Sequence, residues 1–196
     1  MTDWDKLTQN LTHRGYTVKR FATAQEASDY LDRQIDGTSA AFGGSLTLKD
    51  MGLFDRLAAH NRVFWHWEGS SLSDAGSAEV YLTSANGVAE TGEIINIDGN
   101  CNRVASSIYG HRRVYFLIGS NKIAPDYDSA LWRARNVAAP KNAQRLGRKT
   151  PCAAKGDRCY DCSSPDRICQ ALVVLWGKPH PVEAMEIVLV EEPLGY

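Results

Sequence analysis

The run Val114-Tyr115-Phe116-Leu117-Ile118 constrains this chain most. Five successive apolar side chains bounded by turn residues describe a strand buried on both faces, which requires a sheet covered on both sides. Other short runs share this character. Ser39 to Phe42, Arg62 to Trp67, Glu79 to Thr83, Ala171 to Trp176 and Glu186 to Val190 read as strands, and Tyr16-Thr17-Val18 reads as a brief one. Between them lie helical patterns, from Leu7 and Leu11, from Ala27 to Leu31 behind a Thr23/Glu26 capping box, from Leu48 to Leu57, from Asn102 to Tyr109, and from Leu131 to Val137 behind Asp126 or Asp128. Thr91-Gly92 predicts a hairpin between Val88-Ala89-Glu90 and Glu93 to Ile97. Strands alternating with helices predict an α/β fold with a mainly parallel sheet and flanking helices. Ligands in such sheets sit beyond the carboxyl ends of the strands, which points to the turns at residues 43–45, 84–86, 99–100 and 119–122.

The 196 residues form one expected domain, 1–196, broken in its alternation only by a cysteine-rich loop at 150–169. At this length the core suffices for stability without disulfides or metal. With 22 Lys+Arg against 23 Asp+Glu, a formal net charge of -1, the chain lacks the basic field of a nucleic-acid binder. It has no apolar stretch long enough to span a membrane and a polar start unlike a signal peptide, so the expected compartment is the cytoplasm. Thiols are kept reduced there, and clustered cysteines more often mean metal or redox chemistry than disulfides.

Cys152, Cys159, Cys162 and Cys169 are spaced Cys-x6-Cys-x2-Cys-x6-Cys in a polar segment that also carries glycine and proline. Four thiolates this close in sequence can converge on one ion or cluster, with Cys159 and Cys162 gripping from a single turn. Only that central pair is short. Structural zinc usually uses two short pairs, whereas iron–sulfur clusters accept looser spacing, so both cofactors stay open. The alternative is a set of free or disulfide-paired surface cysteines.

Gly43-Gly44-Ser45, at a strand-to-helix turn, offers backbone N–H groups and a hydroxyl to an anion, or is a plain capped turn. Gly99, Asn100, Asn102 and Arg103 start another helix, where the Arg103 guanidinium can fork onto a carboxylate or phosphate or else pair with a surface acid. Lys122 follows the strongest strand and is expected to reach the same crevice, unless it is a solvated loop lysine. Glu90 and Glu93 flank the hairpin turn and are candidate general bases, or else solvated hairpin charges. Cys101 is expected to be a small residue near this site. His13, His60, His66, His111 and His180 show no ligand spacing, and no Gly-x-Gly-x-x-Gly, Walker loop or Gly-x-Ser-x-Gly is present.

Phe42-Gly43-Gly44-Ser45-Leu46-Thr47-Leu48-Lys49, Thr83-Ser84-Ala85-Asn86-Gly87, residues 92–99, Asn102-Arg103-Val104, Gly119-Ser120-Asn121-Lys122-Ile123 and Ala139-Pro140-Lys141-Asn142-Ala143 resemble the lactate-utilisation (LUD) domain family, in its small single-domain LutC- and YkgG-like branch. The cysteine segment and Leu194-Gly195-Tyr196 resemble the same branch. The resemblance implies a fold similar to the ribose-phosphate isomerase and CoA-transferase superfamily. It also implies a link to bacterial oxidation of L-lactate to pyruvate beside iron–sulfur protein subunits as partners. Carried over by motif, the candidate ligand site is Gly43, Gly44, Ser45, Ser84, Asn86, Gly99, Asn100, Asn102, Arg103 and Asn121, with Glu93 and Lys122 as catalytic candidates. Two functions lead, ahead of a zinc-stabilised interaction or regulatory module. One is a component of a lactate or related organic-acid oxidation system that binds a small carboxylate or phosphate and an iron–sulfur cluster. The other is a stand-alone isomerase or acyl-transfer-like enzyme with structural zinc.

Overall fold

The computed structural model describes residues 2–196. Its strands are β1 (Thr17–Phe21), β2 (Ser39–Phe42), β3 (Arg62–Trp65), β4 (Val80–Thr83), β5 (Gly87–Ala89), β6 (Ile94–Asp98), β7 (Arg113–Gly119), β8 (Ile123–Ala124), β9 (Ala171–Leu175) and β10 (Ala184–Val190). The helices are α1 (Trp4–His13), α2 (Ala24–Gln34), α3 (Leu46–Asp50), α4 (Leu53–Ala58), α5 (Leu72–Ala75), α6 (Asn102–Ile108), α7 (Tyr127–Arg133), α8 (Ala139–Arg145) and α9 (Pro151–Lys155). Six strands form one wholly parallel sheet in the order β1-β10-β7-β4-β2-β3, so the expected α/β architecture is present.

The central strand β7 shows why its sequence is apolar throughout. Side chains alternate across a strand. Val114, Phe116 and Ile118 enter one core cluster with Leu7 and Leu11 of α1 and Ile187 and Leu189 of β10. Tyr115 and Leu117 enter the opposite cluster with Leu31, Leu48, Leu53 and Leu57 of α2, α3 and α4. The capping box that begins α2 is formed, with Glu26 N–H donating to Thr23 Oγ1 at 3.2 Å. Asp126 is the residue that caps α7, accepting from Ser129 N–H at 2.8 Å.

A single sheet was the expectation for all strands, and here the structure differs. β5, β6, β8 and β9 form a second sheet, ordered β8-β5-β6-β9, in which β5 and β6 are the expected antiparallel hairpin. Ile94 faces the core of the main sheet, while its neighbour Ile95 packs against Ala130 and Ala134 at the α7 side. The small sheet therefore lies between the main sheet and α7. A π-helical turn, Ala134–Ala138, carries α7 into α8. Such turns are rare and often occur at functional sites. The cysteine segment is also not all loop, since Thr150 caps the short α9 through Ala153 N–H at 3.3 Å. Among the described residues no helix is long and apolar enough to cross a membrane.

Candidate functional site: a cationic crevice beside a cysteine-lined cavity

β2, β4 and β7 are successive neighbours in the parallel sheet, so the turns at Gly43, Ser84 and Ser120 leave from one edge. Gly43 has to be glycine there. A Cβ at this position would lie 2.7 Å from Tyr81 Oη and 2.9 Å from Thr83 Oγ1, closer than real Cβ contacts allow.

Lys122 stands at the floor of this edge. It is only 4% exposed, and its Nζ donates to Thr47 Oγ1 at 2.7 Å and Ser84 Oγ at 2.8 Å. Both hydroxyls give their own protons away, Thr47 to Leu194 O and Ser84 to Leu117 O. Burial, reinforced by the Arg133 and Arg103 guanidiniums and opposed by Asp50, pushes the ammonium down to about 7. Arg133 is itself lowered to about 10 by burial, and its guanidinium donates to the backbone carbonyls of Asn121 and Asn86.

Arg103 does not act as the ligand fork expected from sequence. One terminal nitrogen donates to Ser84 O at 3.2 Å and to Asn96 Oδ1; the other donates to Ile97 O at 2.8 Å and Asn86 Oδ1 at 3.3 Å. All four terminal N–H groups of a guanidinium are thereby occupied. Arg103 ties the β4 and β6 turns together and builds the crevice without offering donors to it. Asn86 is locked in the same network, accepting from Ile97 N–H at 2.7 Å.

A small cavity of about 70 Å³ lies above Lys122, lined by Ser45, Ser84, Asn86, Arg103, Arg145 and Tyr196 among others. It adjoins a crevice of about 380 Å³ that Gly44, Gly99, Asn100, Asn102 and Arg103 line as expected. Four guanidiniums, Arg103, Arg145, Arg148 and Arg167, face two carboxylates, Asp98 and Asp166, in that crevice. Arg148 is paired with Asp166 at 3.1 Å. Arg145 has donors to spare. Its Nε and one terminal nitrogen share Asn142 Oδ1, the other terminal nitrogen has no protein partner, and the plane lies 5.2 Å from the Trp67 ring centre. His66, also on the crevice wall, is held below the usual imidazole range by burial.

Three sequence expectations are corrected. Glu93 is not in the crevice; its carboxylate is bound by Arg14 and by the Thr91 hydroxyl at the hairpin turn. Glu90 likewise serves the α1 side, accepting from Asp3 N–H at 3.0 Å. Asn121 spends its side chain on the C-terminal segment, donating to Gly195 O at 3.2 Å and accepting from Leu194 N–H at 3.0 Å. The helix-start anion seat also weakens, because Ser45 makes no side-chain cap bond and α3 and α6 have five and seven residues, too few aligned peptides for a strong end charge. Charge comes instead from side chains that sequence reasoning passed over, Arg145 above all. The one signal for it was its position three residues after Asn142 on a helix face.

Behind the crevice lies a third cavity, about 280 Å³, and all four of Cys152, Cys159, Cys162 and Cys169 line it. The cysteines are free thiols. Donors surround the sulfurs: Arg167 Nε lies 3.2 Å from Cys169 Sγ, Asp161 N–H donates to Cys159 Sγ at 3.4 Å, and Thr150 Oγ1 is 3.2 Å from Cys152 Sγ. Asp161 takes a left-handed φ of 48°, which folds the Cys159-Tyr160-Asp161-Cys162 turn tightly. Among the described residues no three Cys, His, Asp or Glu side chains form a group that could hold a metal ion. Cys101 stands apart, at the start of α6 with φ 60°.

The chain is thus an α/β domain with a crevice at the carboxyl edge of its parallel sheet and a cysteine-lined cavity beside it. The chain belongs to the LUD domain family, whose model matches residues 4–190. A crystal structure of a DUF162 family protein from Deinococcus radiodurans aligns with a TM-score of 0.57 at 14% identity, over 95% of this chain and 94% of that one, and so shares the fold. No curated protein matches the chain.

Proposed function

We propose that the protein is a component of a bacterial lactate or related organic-acid utilisation system, that its crevice binds a small carboxylate, and that its four cysteines hold an iron–sulfur cluster. LUD family membership supports the pathway reading. The observation that carries the site reading is the shared wall. Ile97 and Ile168 line both the crevice and the cysteine cavity, so a ligand and a cluster would lie one layer of side chains apart. All four cysteines line one cavity, and that common lining supports a shared centre. Apolar neighbours such as Leu131, Pro140 and Leu172 would shield it, and the Arg167 and Asp161 donors would tune it through its sulfur ligands. When bound, such a cluster supplies one-electron transfer.

Within the crevice, Arg145 would clamp the carboxylate while Trp67 holds the guanidinium in plane, and Arg103 would keep the β4 and β6 turns in register. Lys122 would present a donor or acceptor to the ligand's remaining oxygen. The partners on this reading are iron–sulfur protein subunits of the same system, and the ligand is a small carboxylate, with phosphate as the competing anion. The test is anaerobic purification and reconstitution with iron and sulfide, with iron and sulfide analysis and a visible spectrum, together with calorimetry against lactate, pyruvate and phosphate. A colourless protein that takes up neither iron nor sulfide would remove the cluster, and absent heats with all three anions would remove the ligand. Stoichiometric zinc with no colour would favour the isomerase or acyl-transfer reading.

A further inference from the structure

We propose that Lys122 is a carbonyl-reactive amine that forms an imine with a small 2-oxo acid bound in the crevice. The inference rests on the crevice being a carboxylate site and names the class of ligand it would take.

The hydrogen bonding around Nζ carries the argument. A neutral amine has two N–H donors and one lone pair, whereas an ammonium has three donors. Nζ finds two acceptors, Thr47 Oγ1 and Ser84 Oγ, and each hydroxyl has already committed its proton to a backbone carbonyl. Two acceptors satisfy the neutral amine and leave its lone pair unspent. The same surroundings offer no third protein acceptor to an ammonium on a side chain that is only 4% exposed. No carboxylate is bonded to Nζ, and the charged groups that bear on it are the guanidiniums of Arg133 and Arg103, against the more remote Asp50. The electrostatics therefore act in the same direction as the hydrogen bonds, toward an uncharged nucleophile near neutral pH.

The space in front of it fits the substrate class. The 70 Å³ cavity is roughly five times the volume a single water needs, enough for an acid of three or four carbons. Arg145 lines that same cavity with an unpartnered terminal nitrogen, so one ligand can place its carboxylate there and its carbonyl carbon toward Lys122. In the reaction the Nζ lone pair attacks the carbonyl carbon to give a carbinolamine. The nitrogen loses its two protons, the former carbonyl oxygen leaves as water, and a C=N bond forms. Amine and ketone become imine and water, so no oxidant or reductant is consumed.

The experiment incubates the full chain with pyruvate, adds borohydride to reduce any imine to a stable secondary amine, and maps the adduct by peptide mass spectrometry. The expected result is one adduct, on Lys122, that needs both reagents, is lost in Lys122→Met and is lost when wild type is first unfolded in urea. If Lys122→Met does not fold, mapping on native against urea-unfolded wild type decides alone. No adduct, or labelling spread over several lysines and unchanged by unfolding, overturns the inference. Calorimetry with pyruvate in the absence of borohydride separates the two readings: binding without an adduct sinks the imine and keeps the crevice, and no binding sinks both.

Discussion

Ile97 and Ile168 each line the cysteine cavity, the crevice and the small cavity over Lys122. Ile97 belongs to β6 and Ile168 to the cysteine segment, and their meeting depends on Gly99, where a Cβ would sit 3.0 Å from Ile168 O. The cysteine segment is thus part of the crevice wall and not an appendage. Gly99→Val should push Ile168 outward, weakening carboxylate binding and lowering iron retention together. Calorimetry and iron analysis on the one variant would check this, and loss of only one property would count against the shared wall.

Cys159→Ser and Cys162→Ser should each prevent cluster reconstitution while leaving the fold intact, because none of the three core clusters contains a cysteine. Far-ultraviolet circular dichroism and urea unfolding of the variants should match wild type purified without iron.

Arg103 and Arg145 should separate structure from binding. Arg103→Ala removes the four hydrogen bonds of its terminal nitrogens and should destabilise the protein by about 2–4 kcal/mol in urea unfolding. Arg145→Ala removes a cation whose only hydrogen-bond partner is Asn142 and should leave stability within about 0.5 kcal/mol of wild type. It should weaken pyruvate or lactate binding by about 1.5–3 kcal/mol, the worth of a hydrogen bond to a charged group.

Glu93→Gln breaks the ion pair with Arg14, whose side chains are 14% and 24% exposed. A cost of about 1–3 kcal/mol to folding is expected, less than a fully buried pair because solvent reaches both partners. Carboxylate affinity measured by calorimetry should not change. A loss of affinity at full stability would return Glu93 to the ligand site.

Lys122 should leave a signature in the pH dependence of stability. Its folded-state value of about 7 lies below the ordinary lysine value of 10.5, so between these limits the unfolded chain binds more protons than the folded one. Stability must then rise with pH across that window. Urea unfolding at pH 7 and pH 9 should show wild type gaining on the order of 2 kcal/mol relative to Lys122→Met, whose curve lacks this rise.

The strand β7, the capping box on α2, the β5–β6 hairpin and the convergence of the turns at residues 43, 84 and 120 were all legible in sequence, because each follows from local periodicity, local hydrogen bonding or the carboxyl-end rule for parallel sheets. The second sheet was not. Its members β5 and β8 have three and two residues, too few to show a period, and β9 joins β6 from far along the chain. Glu93 was misjudged for a similar reason, since its partner Arg14 lies 79 residues away. Arg103 lines the crevice with its terminal donors already engaged, because donor count can be read from sequence but acceptor supply cannot.

The π-helical turn at Ala134–Ala138 sets the phase of everything beyond it. A π turn holds one residue more than an α turn, and each residue rotates an α-helix by about 100°. Upstream of it Arg133 reaches the carbonyls of Asn86 and Asn121, and downstream Asn142 and Arg145 line the crevice. Deleting one residue from this turn would restore a regular helix and swing Asn142 and Arg145 about a quarter turn off the crevice while Arg133 kept its place. The extra residue works as a vernier, letting one continuous helix address the same cleft from two otherwise incompatible rotational settings.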